Sequence, residues 1–300
     1  MKRLRCLAPG KVNLCLFIGR PRADGYHPLV SLVQPVSLAD ELELGPASGG
    51  DDEVVCPGLD GENLAALALA RFRSATGWDA PPVRIAIAKR VPVAAGMGGG
   101  SADAAAALRL AAAAAGHDAD SAELRRIALD LGADVPSQLA PERCLMTGIG
   151  DSVRVLGDSE PIGLLLVPSA HSLSTPDVYA EFDRLALARD HDELDRLSGQ
   201  VPGAARDGSL LAERLLHNDL EAPARSLCPP IGDALADVRA SGAVRAMVSG
   251  SGPTVFGLFP GADGVAHAHA AAAALRARHP HAVAATPVGR AFAAPLEVGP

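Results

Sequence analysis

Four glycines in the run Pro92-Val93-Ala94-Ala95-Gly96-Met97-Gly98-Gly99-Gly100-Ser101-Ala102-Asp103 lead straight into an alanine-rich stretch that reaches Ala115, and this junction constrains the fold more than any other part of the chain. Glycine has no Cβ, so Gly96, Gly98, Gly99 and Gly100 can take positive φ and bring backbone N–H groups against an anion. The helix predicted next, over residues 101–115 and stopped by Gly116, adds its unpaired N-terminal donors and about half a positive charge. Together they describe a phosphate cradle. A plain glycine-rich turn has the same composition, and the rest of the chain has to choose between the two. The run is not a P-loop, which ends in Gly-Lys-Ser/Thr, nor a dinucleotide fingerprint, which needs a third glycine where Ser101 stands. The one Gly-Lys pair, Gly10-Lys11, is followed by Val12 and enters a strand rather than a helix.

Size and charge narrow the class. At 300 residues, 48% hydrophobic and 21% charged, the chain can build two packed domains of about 150 residues each. A net charge of −8 and the lack of a Lys/Arg cluster long enough to follow a phosphate backbone argue against a nucleic-acid partner. The arginines, Arg143 and Arg154 among them, are scattered between acids and read as solvated surface charges. Cys6, Cys15, Cys56, Cys144 and Cys228 are an odd set without Cys-x-x-Cys spacing, so reduced thiols are expected rather than disulfides or structural zinc. His267 with His269, and His279 with His281, lack metal-site spacing. The basic start Met1-Lys2-Arg3-Leu4-Arg5 lacks the apolar run of a signal peptide, because Lys11 and Asn13 interrupt it. No uninterrupted apolar stretch of about 18 residues exists to span a bilayer. A cytoplasmic bacterial protein with no membrane partner is expected, as a monomer or a homodimer.

Along the chain, residues 12–18 read as an apolar strand, Arg22-Ala23-Asp24-Gly25 as a hairpin turn and residues 29–38 as the returning strand. Residues 62–76 read as a helix and 83–87 as a strand. A further helix over 120–131 starts from Asp120 as N-cap and stops at Gly132. A Gly/Asp/Ser/Pro cluster at residues 157–161 marks a domain boundary. Beyond it come a strand at 164–167, a helix at 231–241, a strand at 254–259, a helix at 265–278 and a strand at 282–288. An antiparallel α+β layer is the natural fold for that run.

Two residues stand out chemically. Of the 27 Lys and Arg residues only Lys2, Lys11 and Lys89 are lysine, so a lysine inside an apolar strand entry, Lys11, is unusual for this chain; a snorkelling strand-edge cation is the bland alternative. Asp134 lies between Gly132 and Pro136 in a rigid turn that could aim a carboxylate into a cleft, or cap local N–H groups.

The pattern from Pro92 to Ser101 resembles the ATP loop of the GHMP kinases, the galacto-, homoserine, mevalonate and phosphomevalonate kinase superfamily. Pro9-Gly10-Lys11-Val12-Asn13-Leu14 followed by Asp24-Gly25-Tyr26-His27 is similar to the family of 4-diphosphocytidyl-2-C-methyl-D-erythritol kinases within it. Leu131-Gly132-Ala133-Asp134-Val135-Pro136 and Ser249-Gly250-Ser251-Gly252-Pro253-Thr254 match that family's catalytic aspartate and late glycine motifs. The motifs stand in order over residues 9–259. Gly10 in place of the usual alanine, and Ala94-Ala95 where glycine is common, are small departures; Gln138 and residues 141–143 are less typical and leave that wall of the cleft open.

The resemblance implies an N-terminal domain like ribosomal protein S5 domain 2 (residues 1–158), a ferredoxin-like C-terminal domain (residues 159–300) and an active site between them. It implies ATP and Mg²⁺, with phosphoryl transfer to the 2-hydroxyl of a cytidine-diphosphate-linked methylerythritol in the non-mevalonate isoprenoid route. Residues 92–102 would hold the phosphates, Ser101 touching a phosphate oxygen or Mg²⁺, with the other metal ligands unassigned. Asp134 would orient the acceptor hydroxyl and accept its proton late, and Lys11 would stabilise the charge that develops. Tyr26, His27 and Tyr179, the last also readable as core, would hold the flat cytosine. Thr175 would contact substrate, Asn13 would fix the substrate tail or Lys11 itself, and Ser251 and Gly252 would close the site. A homoserine or sugar kinase leaves Asp24-Gly25-Tyr26-His27 unexplained. A diphosphomevalonate decarboxylase or a silent nucleotide sensor on the same fold is disfavoured by Tyr26-His27 and by Lys11 with Asp134, respectively.

Overall fold

Two long antiparallel strands, β1 (Arg3–Ile18) and β2 (Leu29–Pro46), form the spine of the first sheet in the computed structural model, which describes residues 2–59, 61, 63–157, 160–206 and 213–299. The hairpin expected from the sequence is present, and both strands run past its outer ends. Arg3 and Arg5 face solvent while Leu4 and Cys6 point inward, the alternation of a strand with one wet face. From Ala8 to Ile18 every residue is buried, so this half of β1 is covered on both sides. The pairing slips between Pro9 and Lys11 and again between Asn13 and Cys15. Such irregularities re-aim side chains, and these two flank the Lys-Val-Asn segment.

β3 (Glu53–Val55) pairs in parallel with β4 (Val83–Ala88), which pairs with β2. β5 (Cys144–Thr147) also pairs with β2 and carries β6 (Ser152–Val155). α1 (Leu64–Thr76), α2 (Gly99–Ala115), α3 (Ala122–Leu131) and α4 (Val135–Leu139) pack around the core of this sheet. Position 62, where the first helix was expected to begin, lies outside the described residues; Asn63 is the N-cap, its Oδ1 accepting from Ala65 N at 2.9 Å. α2 is buried from Ala102 through Ala112. A helix enclosed on every side has little room for long side chains, and this accounts for the run of alanine. α3 starts one residue later than expected. Ser121, in extended conformation, accepts from Leu124 N at 3.2 Å, while Asp120 forms an ion pair with Arg290 instead of capping.

β7 (Ile162–Val167), β8 (Arg245–Val248), β9 (Val255–Pro260) and β10 (Val283–Ala285) form a second, antiparallel sheet in the order β10-β7-β9-β8. This is the ferredoxin-like order, with α8 (Pro230–Ala240) and α9 (Gly264–Leu275) as its crossing helices. α5 (Thr175–Arg184), α6 (His191–Arg206) and α7 (Glu221–Leu227) complete this half. Residues 158 and 159, in the middle of the expected boundary, lie outside the described residues. β11 (Leu296–Val298) returns to pair with the outer edge of β1.

The buried side chains of β1 enter two apolar clusters that each include residues of the second sheet. Val12, Leu14 and Phe17 pack with Leu164, Leu166 and Phe256, whereas Leu16 and Ile18 pack with Leu165, Val167 and Val255. The strand that carries Lys11 is thereby built into both halves of the molecule. Two arginines correct the surface-charge expectation. Arg109 is buried and donates to Gln138 O and Leu7 O, and Arg143 is buried and donates to Ala205 O at 3.2 Å. Burial lowers the pKa of both guanidinium groups, and backbone carbonyls take the place of carboxylate partners.

Candidate active site

Side chains on one strand face alternate, so Lys11 and Asn13 of β1 point the same way, into a cleft of about 520 Å³ that both line. Lys11 is nearly enclosed, with 6% of its side chain exposed, and its Nζ donates to Asn13 Oδ1 at 2.8 Å. Asn13 Nδ2 donates to Ser31 Oγ at 2.8 Å, and Ser31 Oγ donates to Cys15 O at 2.7 Å.

The glycine run lies across this pair. Lys11 N donates to Met97 O at 2.9 Å, Thr254 N to Ala95 O at 3.2 Å and Ser249 Oγ to Gly96 O at 3.0 Å. Three successive carbonyls are thus tied back to β1 and to the late loop, which removes oxygens that would repel an anion. The first-turn N–H groups of α2, at Gly99, Gly100 and Ser101, lack intrahelical acceptors. Two glycines here take positive φ where a Cβ would crowd a neighbour. Gly96 (φ +74°) lies so close to the late loop that a Cβ would stand 2.2 Å from Ser249 O. Gly98 (φ +66°) is the N-cap of α2, and its Cβ would stand 3.1 Å from Lys11 Cε and 3.7 Å from Asp134 Oδ2. Pro92, Val93, Ala94, Ala95, Gly96, Gly98, Gly99, Gly100 and Ser101 line the cleft, whereas Met97 and Ala102 are buried in the core beneath it.

Asp134 precedes α4 but does not cap it; its side chain makes no bond to the helix N-terminus. Its Oδ2 stands 3.6 Å from Lys11 Nζ, with 36% of the side chain exposed to the cleft. Ser137 Oγ donates to Asp134 O at 2.8 Å, and Arg109 holds the far end of α4 through Gln138 O. The carboxylate is therefore positioned by its backbone and left free to meet a ligand.

The remaining expected contacts divide. Thr175 Oγ1 and Ser251 Oγ lie 2.9 Å apart, and both residues line the cleft. Tyr179 lines the cleft and also packs in the C-terminal core, so both readings of it describe its position. Burial, and then the Asp134 charge, pushes its hydroxyl up to about 12. The His27 ring lies tilted against Tyr179, centroids 5.1 Å apart, and edge-on at 5.9 Å against Phe182, while its Nε2 pairs with Asp183 Oδ1 at 2.9 Å. It stands behind Tyr179 rather than on the cleft surface. Tyr26 is 61% exposed at the hairpin tip, where an Asx contact from Asp24 orders its backbone. Gly252, within the late loop, faces Val248, where a Cβ would stand 2.9 Å from its side chain, and is not among the residues that line the cleft.

A buried charge cluster below the glycine run escaped the sequence reading. Lys89 pairs with Asp40 and, at 2.7 Å, with Asp103 Oδ2, and Asp40 Oδ1 also accepts from Arg90 N and Val91 N. Lys89 and Asp103 line the cleft, and Asp103 Oδ1 has no hydrogen-bond partner among the described residues. Burial, opposed by Lys89 and reinforced by Asp40, pushes the Asp103 carboxyl up. The scarcity of lysine that singled out Lys11 applied equally to Lys89; nothing in the spacing linked it to Asp40.

Residues 63–140 match the family described as GHMP kinases N terminal domain, and residues 203–280 match GHMP kinases C terminal. A homoserine kinase from Cytophaga hutchinsonii shares the fold, with a TM-score of 0.73 at 16% identity over 99% of this chain and 98% of that one. A crystal structure of 4-(cytidine 5'-diphospho)-2C-methyl-D-erythritol kinase superposes with a TM-score of 0.76 at 36% identity, covering 94% of this chain and 98% of that one. The 4-diphosphocytidyl-2-C-methyl-D-erythritol kinase of Nocardioides sp. is 40% identical over 291 residues, 93% of this chain and 95% of its own. With the glycine run, Lys11 and Asp134 meeting in one cleft and similarity of this extent in both sequence and structure, the chain belongs to the 4-diphosphocytidyl-2-C-methyl-D-erythritol kinase family of GHMP kinases.

Proposed function

We propose that this protein transfers the γ-phosphoryl group of ATP to the 2-hydroxyl of 4-diphosphocytidyl-2-C-methyl-D-erythritol, a step of non-mevalonate isoprenoid precursor synthesis. The observation that carries this reading is the Lys11–Asp134 pair, 3.6 Å apart, directly under the glycine run. The free first-turn N–H groups of α2 bind the phosphates, and Gly98 lets the loop approach Lys11 without a side chain in between. The acceptor hydroxyl sits between Asp134 and the γ-phosphorus. As its oxygen bonds to phosphorus, the bond from phosphorus to the bridging oxygen of ADP breaks, and the hydroxyl proton passes to the Asp134 carboxylate. Lys11 stabilises the charge on the reacting oxygens. Thr175, Tyr179 and Ser251 hold the cytidyl substrate from the C-terminal half. Tyr26 closes from the hairpin tip, and His27 acts with it through its contact with Tyr179.

Mg²⁺ fits the oxygen donors that line the cleft here, the Ser101 hydroxyl and Asp103 Oδ1, which has no partner among the described residues. Among the described residues no group of three or more His, Cys, Asp or Glu forms a metal cage. Nucleotide oxygens would complete the ligand set, and the ion would offset phosphate charge. The same reading divides the chain at residues 158 and 159, with β11 returning to the first half. It also places the enzyme in the cytoplasm. Among the described residues no helix is long and apolar enough to cross a membrane.

The test is a coupled ADP-release assay with the cytidyl substrate, homoserine and mevalonate diphosphate in parallel, on wild type and Asp134→Asn. Turnover is expected with the cytidyl substrate alone, and the variant should lose about 10²-fold or more in kcat. Turnover with another acceptor instead, or full activity of the variant, would sink the reading.

A further inference from the structure

The hydrogen bonds that run from Lys11 into the sheet have a fixed direction. Cys15 O can only accept, so the single proton of the Ser31 hydroxyl points at it, 2.7 Å away. The Ser31 oxygen is left with lone pairs alone for Asn13, which must therefore present Nδ2 to it, 2.8 Å away. The other end of the amide, Oδ1, then necessarily faces Lys11 Nζ at 2.8 Å. An amide can turn over at little steric cost, and in this site the wrong orientation would aim N–H groups at an ammonium. Ser31, Asn13 and Lys11 are all nearly enclosed, so solvent compensates poorly for such an error. The slip in β-pairing between Asn13 and Cys15 is the local irregularity beside which this chain of bonds forms. Gly250 packs over it, a Cβ there standing 3.3 Å from both Asn13 Oδ1 and Lys11 Nζ.

From this we infer that Ser31 is a positioning residue for phosphoryl transfer: its hydroxyl sets the orientation of the Asn13 amide, which in turn holds the Lys11 ammonium beside Asp134. The inference rests on the function proposed above. Ser31 also lines the cleft, but its one proton is committed to Cys15 O and its oxygen accepts from Asn13, so it has no donor for the reacting atoms and acts through Asn13 and Lys11.

Steady-state kinetics on Ser31→Ala and Ser31→Thr, each also in a Lys11→Ala background, provide the test. Ser31→Ala is expected to lower kcat by about tenfold to a hundredfold, the scale of a misplaced catalytic group, with KM for ATP within about twofold of wild type. Ser31→Thr, which keeps the hydroxyl, should recover most of the loss. With Lys11 already removed, Ser31→Ala should lower the residual rate no further, whereas a purely structural role would cost the same in both backgrounds. Ser31→Cys, similar in volume but a weak acceptor, gives the same comparison if the alanine variant does not fold. Equal activity of Ser31→Ala and wild type, a rise in KM with kcat unchanged, or equal losses in the two backgrounds would overturn the role of Ser31. Wild type inactive on the cytidyl substrate would instead overturn the function on which the inference rests.

Discussion

Gly96 and Gly98 both have positive φ but differ in what a side chain would meet. At Gly96 the obstacle is the backbone oxygen of Ser249, at 2.2 Å, which cannot yield without parting the glycine run from the late loop. At Gly98 it is the flexible stem of Lys11, at 3.1 Å. Gly98→Ala should therefore fold, losing about 1–2 kcal/mol for a left-handed alanine, and should lose at least about tenfold in kcat because Lys11 is displaced. Gly96→Ala should fail earlier, with a lower melting temperature and no stabilisation by added ATP. Thermal melts with and without ATP, alongside kinetics, separate the two outcomes. The sequence identified both as glycines of an anion loop. Which of them faces a backbone and which faces Lys11 depends on residues 153 and 87 positions away, and no local pattern encodes that distance.

At the level of elements, α3 shows how local chemistry decides a boundary. Asp120 and Ser121 are both competent N-caps, and the spacing to Glu123 favoured Asp120. Ser121 caps because Asp120 is drawn to Arg290, near the far end of the chain. Ser121→Ala should cost about 1 kcal/mol in urea denaturation. Asp120→Ala should cost less than about 1 kcal/mol, since its ion pair is largely exposed; the reverse order would mean that Asp120 caps in solution. α2 and the β1–β2 hairpin were readable because alanine-rich and apolar runs between glycine or turn residues need no distant partner to be recognised. α4 was not. Its five residues carry little periodicity, and it stands in place because Ser137 and Arg109 hold its two ends.

Across the whole molecule, Asp219 is a strut between the two halves. It accepts from Ile18 N at 2.8 Å, takes both prongs of Arg189 at 2.7 Å and pairs with His217 at 2.9 Å. Burial works against its charge, but the bonds from His217, Arg189 and Ile18 outweigh it and hold the carboxyl below the usual range. A depressed folded-state value means that the unfolded chain binds the proton more readily. The stabilisation is thus fully present above the unfolded value of about 3.9 and is lost as pH falls through the folded one. Asp219→Asn should cost about 2–3 kcal/mol near neutral pH, and the gap in melting temperature from wild type should narrow below about pH 4. A constant gap across that range would show that the charge of Asp219 contributes nothing to the strut.

The sequence by itself determined the elements whose signals are short-range: the glycine run into α2, the hairpin carrying Lys11 and Asn13, the turn carrying Asp134 and the antiparallel second half. These follow from backbone freedom, side-chain period and turn chemistry, each set within a few residues. Only the tertiary structure decided which groups face one another. It put Asp134 Oδ2 at 3.6 Å from Lys11 and seated His27 behind Tyr179. It buried Lys89 between Asp40 and Asp103 and turned the Asn13 amide through Ser31. Those relations depend on burial and on hydrogen-bond direction between strands distant in the chain, and both are settled only when the two sheets close on β1.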